Sequence, residues 1–152
     1  INSLRFYDNV FLNGNEEYLT DIKNQIKKIN PQINLNQGKY IPLNIKDFNK
    51  EHNYLVFSGI GNHKTFVSML KNNHLKIIND LEYPDHYQYS QKDFDEISNK
   101  AKKNDAKILT TEKDYLRLNS LDKTEVLFIK STLEIEDEKK LTKTLIDLYE
   151  IY

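Results

Sequence analysis

The feature that most constrains the fold is a regular alternation of apolar runs and helical patterns that begins after residue 53. Strands that alternate with helices join through right-handed crossovers and form a mainly parallel sheet. The sequence therefore predicts an α/β fold here, a three-layer α/β/α sandwich of the Rossmann-like type. The predicted strands are 54–59, 75–80, 106–111 and 125–130, the last strand of the chain. The predicted helices are 63–71, a segment capped by Ser90 with Asp93 at the capping-box position, and 112–118.

The first third of the chain lacks this rhythm. A short strand is predicted at 9–14, and a helix at 16–29, where apolar residues recur at helical spacing. The stretch 33–48 carries Gly38 and Pro42, and proline within a sheet is confined to edges, strand starts and bulges. We therefore predict an extended β linker outside the main sheet, as an edge strand, hairpin or interdomain ribbon rather than a central strand.

The polar stretch at 49–53 is the predicted boundary between two parts of the chain. It separates residues 1–52 from a C-terminal α/β domain at 53–152. The second part ends with the acidic stretch EIEDE and then leucines at helical spacing, which predict a terminal helix. These leucines are Leu141, Leu145 and Leu148.

Charge and composition exclude several classes of function. The chain carries 22 Lys and Arg residues against 23 Asp and Glu, whereas a nucleic-acid binder normally shows a basic excess. Nucleic acid is therefore not an expected partner. The sequence has no cysteine, which excludes disulfides and thiolate metal sites. No apolar run approaches the roughly 18 residues of a membrane-spanning helix, so we expect a soluble chain.

The stretch SGIGNHKTF at 58–66 raises the question of a phosphate-binding loop, because it places glycines, lysine and threonine between a strand and a helix. A Walker A loop needs a glycine directly before its lysine, where the backbone curls around the phosphates. His63 precedes Lys64, so this pattern fails. The dinucleotide fingerprint also fails, because Lys64 stands in the place of its third glycine. The remaining interpretation is a tight strand-to-helix turn in which glycine permits a positive φ.

Polar side chains follow three successive strands of the predicted sheet. In a parallel sheet such loops lie at one edge, where the ligands of open α/β sheets bind. Each residue also has a structural interpretation: Asp85 can form an Asx turn after Pro84, and Thr111 can cap a helix whose first turn is solvated. The candidate site residues are Gly59, Gly61 and Asn62 in the first loop, Asp85 and His86 in the second, and Thr110, Thr111, Glu112, Lys113 and Asp114 in the third.

These three loops, in this order and spacing, resemble the C-terminal half of the tetraacyldisaccharide 4'-kinase family, the lipid A 4'-kinases of Gram-negative bacteria. The family pattern is Gly-Ile-Gly-Asn-Pro, then Asp-His-His after the next strand, then Thr-Thr-Glu-Lys-Asp. The chain has GIGNH at 59–63, DHY at 85–87 and TTEKD at 110–114, and VFLNG at 10–14 resembles the strand that precedes them.

Two positions depart from the family pattern. His63 replaces a proline that sets only the first helical turn, so this change is expected to be harmless. Tyr87 replaces the second histidine, which excludes a function that needs both histidines.

The resemblance implies a P-loop kinase with two α/β domains joined by a two-stranded linker. ATP and Mg²⁺ would be held by a Walker A loop in the N-terminal half, so this chain would be the second domain with the linker and a tail of the first. The intact enzyme would phosphorylate the 4'-hydroxyl of a lipid A disaccharide precursor at the cytoplasmic surface of the inner membrane. The chain alone is expected to bind no cofactor and to be inactive.

The resemblance also implies roles for individual residues. His86 would be catalytic, reaching across the cleft to tune a carboxylate base of the first domain, and Asp85 would orient the loop or the imidazole. The residues of the first and third loops would face the substrate or the nucleotide. The alternative for His86 is packing between Pro84 and Tyr87.

Three other interpretations remain open for the whole chain. A stand-alone sugar- or nucleotide-binding module would bind its ligand without a second domain. A metal site of oxygen and imidazole ligands would be built from Asp85, His86, Glu112 and Asp114, and binding of the metal would stabilise the isolated chain. A purely structural domain would use its polar loops only to cap helices.

Overall fold

The computed structural model describes residues 2–14, 16–118 and 121–149. The chain divides into two compact units, one of residues 42–132 and one of residues 1–41 together with 133–152. These units differ from the spans 1–52 and 53–152 expected from the sequence. The assignment of those spans to the two domains of a kinase remains a prediction.

The strands and helices follow one another along both units. The strands are β1 (Asn9–Asn13), β2 (Asn34–Pro42), β3 (Asn53–Ser58), β4 (Lys76–Glu82), β5 (Ala106–Thr111), β6 (Val126–Ile129) and β7 (Ser131–Ile135). The helices are α1 (Glu16–Ile29), α2 (His63–Asn72), α3 (Gln91–Lys103), α4 (Glu112–Arg117) and α5 (Glu138–Tyr149), with short 3-10 helices at Asn2–Phe6 and Ile45–Asp47. The elements predicted from 54 to 130 are all present, with ends that differ by no more than about two residues.

The larger unit is built on a four-stranded parallel sheet of order β4-β3-β5-β6. Successive side chains of a strand point to opposite faces, and β3 is apolar on both. Tyr54 and Val56 join the apolar cluster on the α2 side, and Leu55 and Phe57 join the one on the α3 side. The helices contribute Phe66, Val67, Met69 and Leu70 from α2, and Phe94, Ile97 and Ala101 from α3. The predicted α/β fold, a parallel sheet flanked by helices, is confirmed.

Local capping explains where the helices of the larger unit begin and end. The Asp93 N–H donates to Ser90 Oγ at 3.2 Å and the Ser90 N–H donates to Asp93 Oδ2 at 2.8 Å, so the predicted capping box is confirmed. His74 and Asp105 follow the C-caps of α2 and α3 with φ of 65° and 47°. A left-handed residue at this position commonly ends a helix.

The smaller unit contains a three-stranded sheet of order β1-β2-β7, in which β2 is the middle strand. This extended stretch lies outside the main sheet, as predicted, but it is not an edge strand of its own sheet. At Gly38 a Cβ would lie 2.7 Å from Phe11 Cζ and 3.0 Å from Leu133 Cδ1. Glycine therefore lets the neighbouring side chains close over the strand, and Pro42 stands at the strand's end.

The C-terminal part of the smaller unit holds one element that was not predicted. The strand at 125–130 was expected to be the last, but β7 follows it, and its side chains are mostly exposed. The predicted terminal helix is present as α5, although Leu145 and Leu148 are 57% and 41% exposed. Within the described ranges, no helix is both long and apolar enough to cross a membrane.

Candidate functional site

The loops that follow β3, β4 and β5 lie together at one edge of the main sheet and are joined by hydrogen bonds. The His86 N–H donates to the Gly59 carbonyl at 3.0 Å, which joins the second loop to the first. The Tyr89 hydroxyl donates to Asp114 Oδ1 at 3.2 Å, which joins the segment after the second loop to α4. The topology thus brings the three loops together because parallel strands present the same end at one edge.

The first loop needs glycine for space rather than for backbone conformation. No glycine among the described residues has a positive φ, so the predicted positive-φ turn is wrong. At Gly59 a Cβ would lie 3.0 Å from the Pro84 carbonyl oxygen and 3.1 Å from the Tyr89 hydroxyl. At Gly61 the nearest atom would be Asp85 Oδ2 at 3.6 Å, an ordinary contact distance. Gly59 is therefore the point where the second loop presses against the first.

Three of the candidate side chains have structural tasks. Asn62 caps α2, since its Oδ1 accepts the Thr65 N–H at 3.1 Å. The buried Thr110 hydroxyl donates to the Phe57 carbonyl at 2.7 Å, which ties β5 to β3. Thr111 caps α4 as predicted, and its hydroxyl oxygen accepts the N–H of the residue three positions later.

The second loop holds His86 in a strained backbone conformation. The Tyr87 N–H donates to the Pro84 carbonyl at 3.1 Å, and within this turn His86 has a φ of 60°. A left-handed conformation costs a residue other than glycine on the order of 1 kcal/mol and persists where the surroundings fix it. The His86 side chain is 80% exposed, so it does not pack between Pro84 and Tyr87.

Asp85 lies against the His86 backbone and ring. Its Oδ1 accepts the His86 N–H at 3.0 Å, and its Oδ2 lies 3.7 Å from His86 Nε2. The first contact is local and orients the turn. The second is too long for a hydrogen bond but places a negative charge beside the imidazole.

The third loop contains one buried carboxylate, that of Asp114. Glu112 and Lys113 are exposed as predicted, but Asp114 is fully buried, so the expectation of a solvated first turn is wrong for this residue. The Thr111 hydroxyl donates to Asp114 Oδ2 at 2.7 Å, and Arg117 Nη1 donates to Oδ1 at 3.0 Å. A buried carboxylate is tolerated only where it is paired and hydrogen-bonded, and Asp114 is both.

Arg117 is the residue that the sequence interpretation missed. Its Nη1 donates to the Gly59 carbonyl at 2.8 Å as well as to Asp114, and its Nη2 lies 3.2 Å from His86 Nδ1. One guanidinium thus contacts all three loops. A signal was available: only two of the 22 basic residues are arginines, Arg5 and Arg117. Arginine presents a planar fork of donors that lysine lacks.

His63 forms a separate polar chain under the first loop. Its Nδ1 lies 2.6 Å from Ser58 Oγ, and its Nε2 lies 3.3 Å from Asp80 Oδ1. Because a carboxylate only accepts, Nε2–H donates to Asp80 and the Ser58 hydroxyl donates to Nδ1. The order of residues resembles a Ser-His-Asp catalytic triad, but Ser58 is fully buried, so a substrate cannot reach its hydroxyl. His63, which was expected only to replace a helix-starting proline, ties β3 to β4.

Three tyrosine rings pack beneath the second loop. Those of Tyr83, Tyr87 and Tyr89 lie 4.9–5.3 Å apart between centroids. Burial raises the pKa of Tyr89, and the charge and hydrogen bond of Asp114 raise it further, so this hydroxyl remains a donor. The Tyr87 hydroxyl donates to Asp93 at 3.2 Å, which gives the residue in place of the family's second histidine a structural role.

The arrangement does not support a metal site. Across residues 2–14, 16–118 and 121–149, no three His, Asp or Glu side chains are grouped so that they could hold a metal ion. Asp114 is buried and pairs with Arg117, whereas Glu112 is exposed. The His86 ring at this edge is exposed and also hydrogen-bonded to Arg117, so it is the candidate group for contact with a ligand.

Comparison with known proteins finds close sequence relatives. A family model described as Tetraacyldisaccharide-1-P 4'-kinase matches residues 1–150. The chain is 70% identical over 150 residues to the tetraacyldisaccharide 4'-kinase of Pelagibacter ubique (strain HTCC1062), a match that covers 99% of this chain and 48% of that protein. It is 41% identical over 96 residues to the tetraacyldisaccharide 4'-kinase of Rickettsia canadensis (strain McKiel), covering 62% of this chain and 29% of that protein.

One solved structure is also similar. The crystal structure of the "apo" form LpxK from Aquifex aeolicus in complex with ATP matches with a TM-score of 0.46 and 21% identity, covering 93% of this chain and 52% of that one. The chain spans about half the length of the Pelagibacter relative and less of the Rickettsia one.

Proposed function

Because the chain belongs to the tetraacyldisaccharide-1-P 4'-kinase family, we propose that it is the C-terminal part of an ATP-dependent lipid kinase. The reaction transfers the γ-phosphate of ATP to the 4'-hydroxyl of a tetraacyldisaccharide 1-phosphate, a lipid A precursor. The partners are this lipid, the N-terminal P-loop domain of the same protein and the cytoplasmic surface of the inner membrane.

The ATP and Mg²⁺ site belongs, in this proposal, to the N-terminal half. The sequence contains no Walker A pattern: its Gly38-Lys39 pair has Ile33 where the motif has its first glycine and Tyr40 where it has Ser or Thr. Because this motif is missing, we assign the nucleotide and Mg²⁺ to the N-terminal half and give this chain the role of closing over the site and positioning its groups.

The observation that carries the proposal is the presentation of His86. Its side chain is 80% exposed at the edge where the three loops meet, while its backbone is fixed by the Gly59 carbonyl and its ring by Arg117. An exposed side chain normally moves freely. A side chain that is exposed but held in place by hydrogen bonds is suited to contact a group supplied from outside the unit.

In the proposed mechanism, His86 acts with a carboxylate of the N-terminal half. The bond between the 4'-oxygen and the γ-phosphorus forms, the bridging bond to the β-phosphate breaks, and the hydroxyl proton passes to that carboxylate. Phosphoryl transfer depends mainly on positioning and charge stabilisation, so a domain that closes over the site and orients the base supplies what this chemistry needs. Asp85 orients the turn that carries His86.

The experiment compares the intact protein with this chain alone. Each is incubated with tetraacyldisaccharide 1-phosphate and ATP labelled in the γ-phosphate, and label in the lipid is measured. We expect transfer by the intact protein and none by the chain. The absence of transfer by folded intact protein would contradict the lipid kinase assignment.

Two other outcomes would revise the division between the halves. Turnover of ATP by the chain alone would overturn the assignment of the catalytic loop to the N-terminal half. Calorimetric binding of ATP to the chain alone would favour the stand-alone nucleotide-binding module instead. The same titration with the intact protein provides the positive control.

A further inference from the structure

We infer that Arg117 is a positioning residue that holds the neutral His86 ring in the tautomer protonated at Nε2 and directs this N–H outward as a hydrogen-bond donor. The tautomer is a property of this chain. Its catalytic meaning rests on the proposed function.

The hydrogen-bond chemistry fixes which nitrogen carries the proton. Arg117 Nη2 lies 3.2 Å from His86 Nδ1. A guanidinium has five donors, no acceptor and no accessible deprotonated form, so Nδ1 must accept with its lone pair. A neutral imidazole carries one proton, which therefore resides on Nε2.

Arg117 itself is held on the side away from His86. Its Nη1 donates to the Asp114 carboxylate and to the Gly59 carbonyl, and its side chain is only 17% exposed. Asp114 is in turn fixed by the Thr111 and Tyr89 hydroxyls. Because a planar fork is anchored at one end, its other end presents a donor at a defined position.

The His86 backbone holds the ring against this donor. The left-handed φ of 60° and the N–H bond to the Gly59 carbonyl set the direction of the side chain. Asp85 Oδ2 lies 3.7 Å from Nε2, and its negative charge favours a proton on that nitrogen over one on Nδ1. Arg117 and Asp85 thus act on the two nitrogens of the same ring.

This tautomer decides what His86 does in the proposed reaction. With Nδ1 engaged and Nε2 protonated, the neutral ring has no free lone pair to take a proton from the lipid hydroxyl. It donates instead, from Nε2–H to the carboxylate oxygen that accepts that proton. His86 thereby orients and steadies the base, and Arg117 keeps it in the donating form.

The tautomer can be read directly by nitrogen NMR. Long-range proton–nitrogen spectra of the nitrogen-15-labelled chain distinguish protonated from unprotonated ring nitrogens, and the His86 signals are assigned by their loss in His86→Gln. The spectra are recorded as a function of pH, and the tautomer is read from the neutral form of the ring. We expect protonated Nε2 to exceed protonated Nδ1 by more than about tenfold, as a charge-assisted hydrogen bond allows. A protonated Nδ1 would overturn the inference without any Arg117 variant.

Variants test whether Arg117 causes the excess of the tautomer protonated at Nε2. Arg117→Met removes the donors and is expected to give a mixture of tautomers, whereas Arg117→Lys keeps the charge without the fork and is expected to recover part of the excess. Lys92→Met is the matched control, because it removes an exposed ammonium that lies 4.0 Å from Glu96. An unchanged tautomer excess in folded Arg117→Met would overturn the inference.

Kinetics of the intact kinase separate this inference from the function on which it rests. Arg117→Met is expected to lower kcat by at least about tenfold with the KM for ATP unchanged, and Arg117→Lys is expected to lower it less. If the tautomer is fixed as inferred but His86→Ala retains full turnover, the proposed role of His86 fails and the assignment of the tautomer stands. If His86→Ala loses turnover while Nδ1 carries the proton, the role stands and the inference fails.

Discussion

Gly59→Ala is expected to lower the free energy of unfolding by about 1–3 kcal/mol, the usual cost of inserting a methyl group into a filled space. The added Cβ would lie 3.0 Å from the Pro84 carbonyl oxygen and 3.1 Å from the Tyr89 hydroxyl. Neither neighbour yields easily: the first is backbone, and the second is held by its hydrogen bond to Asp114. Each must shift by a few tenths of an ångström, and the shift loosens the contact between the first and second loops.

Gly61→Ala is the matched control in the same loop. Its Cβ would meet Asp85 Oδ2 at 3.6 Å, and its φ is not positive, so neither space nor backbone opposes alanine. Alanine also restricts the unfolded chain, so we expect no loss and a gain of up to about 1 kcal/mol. Urea denaturation followed by circular dichroism measures both variants. Equal losses at the two positions would refute the argument from space and restore the interpretation based on positive φ.

Three further changes test the polar contacts of the larger unit. His63→Ala leaves the buried Ser58 hydroxyl without its partner, so we expect a loss of about 2–4 kcal/mol in urea denaturation, and a loss below about 0.5 kcal/mol would contradict it. The hydrogen bonds of Ser90 lower the pKa of Asp93. The ionised Asp93 side chain therefore stabilises the fold above the unfolded pKa of about 3.9, and this stabilisation is lost as the pH falls through the lowered folded pKa. The melting temperatures of the parent chain and Asp93→Ala should therefore converge in acid. Burial raises the pKa of Tyr89, so stability should fall as the pH rises above about 10, and Tyr89→Phe should remove part of this alkaline loss in a series of melting curves.

The main sheet was predictable because its central strands leave a simple pattern. A parallel strand buried on both faces is a continuous apolar run, as in β3, and the residues between the strands carry helical spacing and recognisable caps. The smaller sheet was not predictable in the same way. β2 lies between β1 and β7, whose residues Phe11 and Leu133 lie beside Gly38, and these strands are far apart in sequence. The alternation Leu133-Glu134-Ile135 in β7 is only three residues long, which is too short to predict a strand.

The predicted parallel sheet was enough to place the three loops at one edge, but it did not predict the hydrogen bonds between them. Asp114 was placed in a solvated first turn because helix N-termini are commonly acidic, whereas its burial depends on Tyr89 and Arg117. The pairing with Arg117 was accessible, since residues three apart on a helix are neighbours. The contacts of Arg117 to Gly59 and His86 required the fold itself.

The turnover of the intact kinase carrying His86→Ala tests the central claim most directly. Groups that act in proton transfer contribute typically about 10²–10⁴-fold to rate, so we predict that kcat falls by at least about tenfold while the KM for ATP and the melting temperature change little. His52→Ala, the same change at an exposed histidine beyond the three loops, provides the control and should retain turnover. Unchanged turnover in His86→Ala, or a fall no larger than the loss of folded protein, would contradict the account.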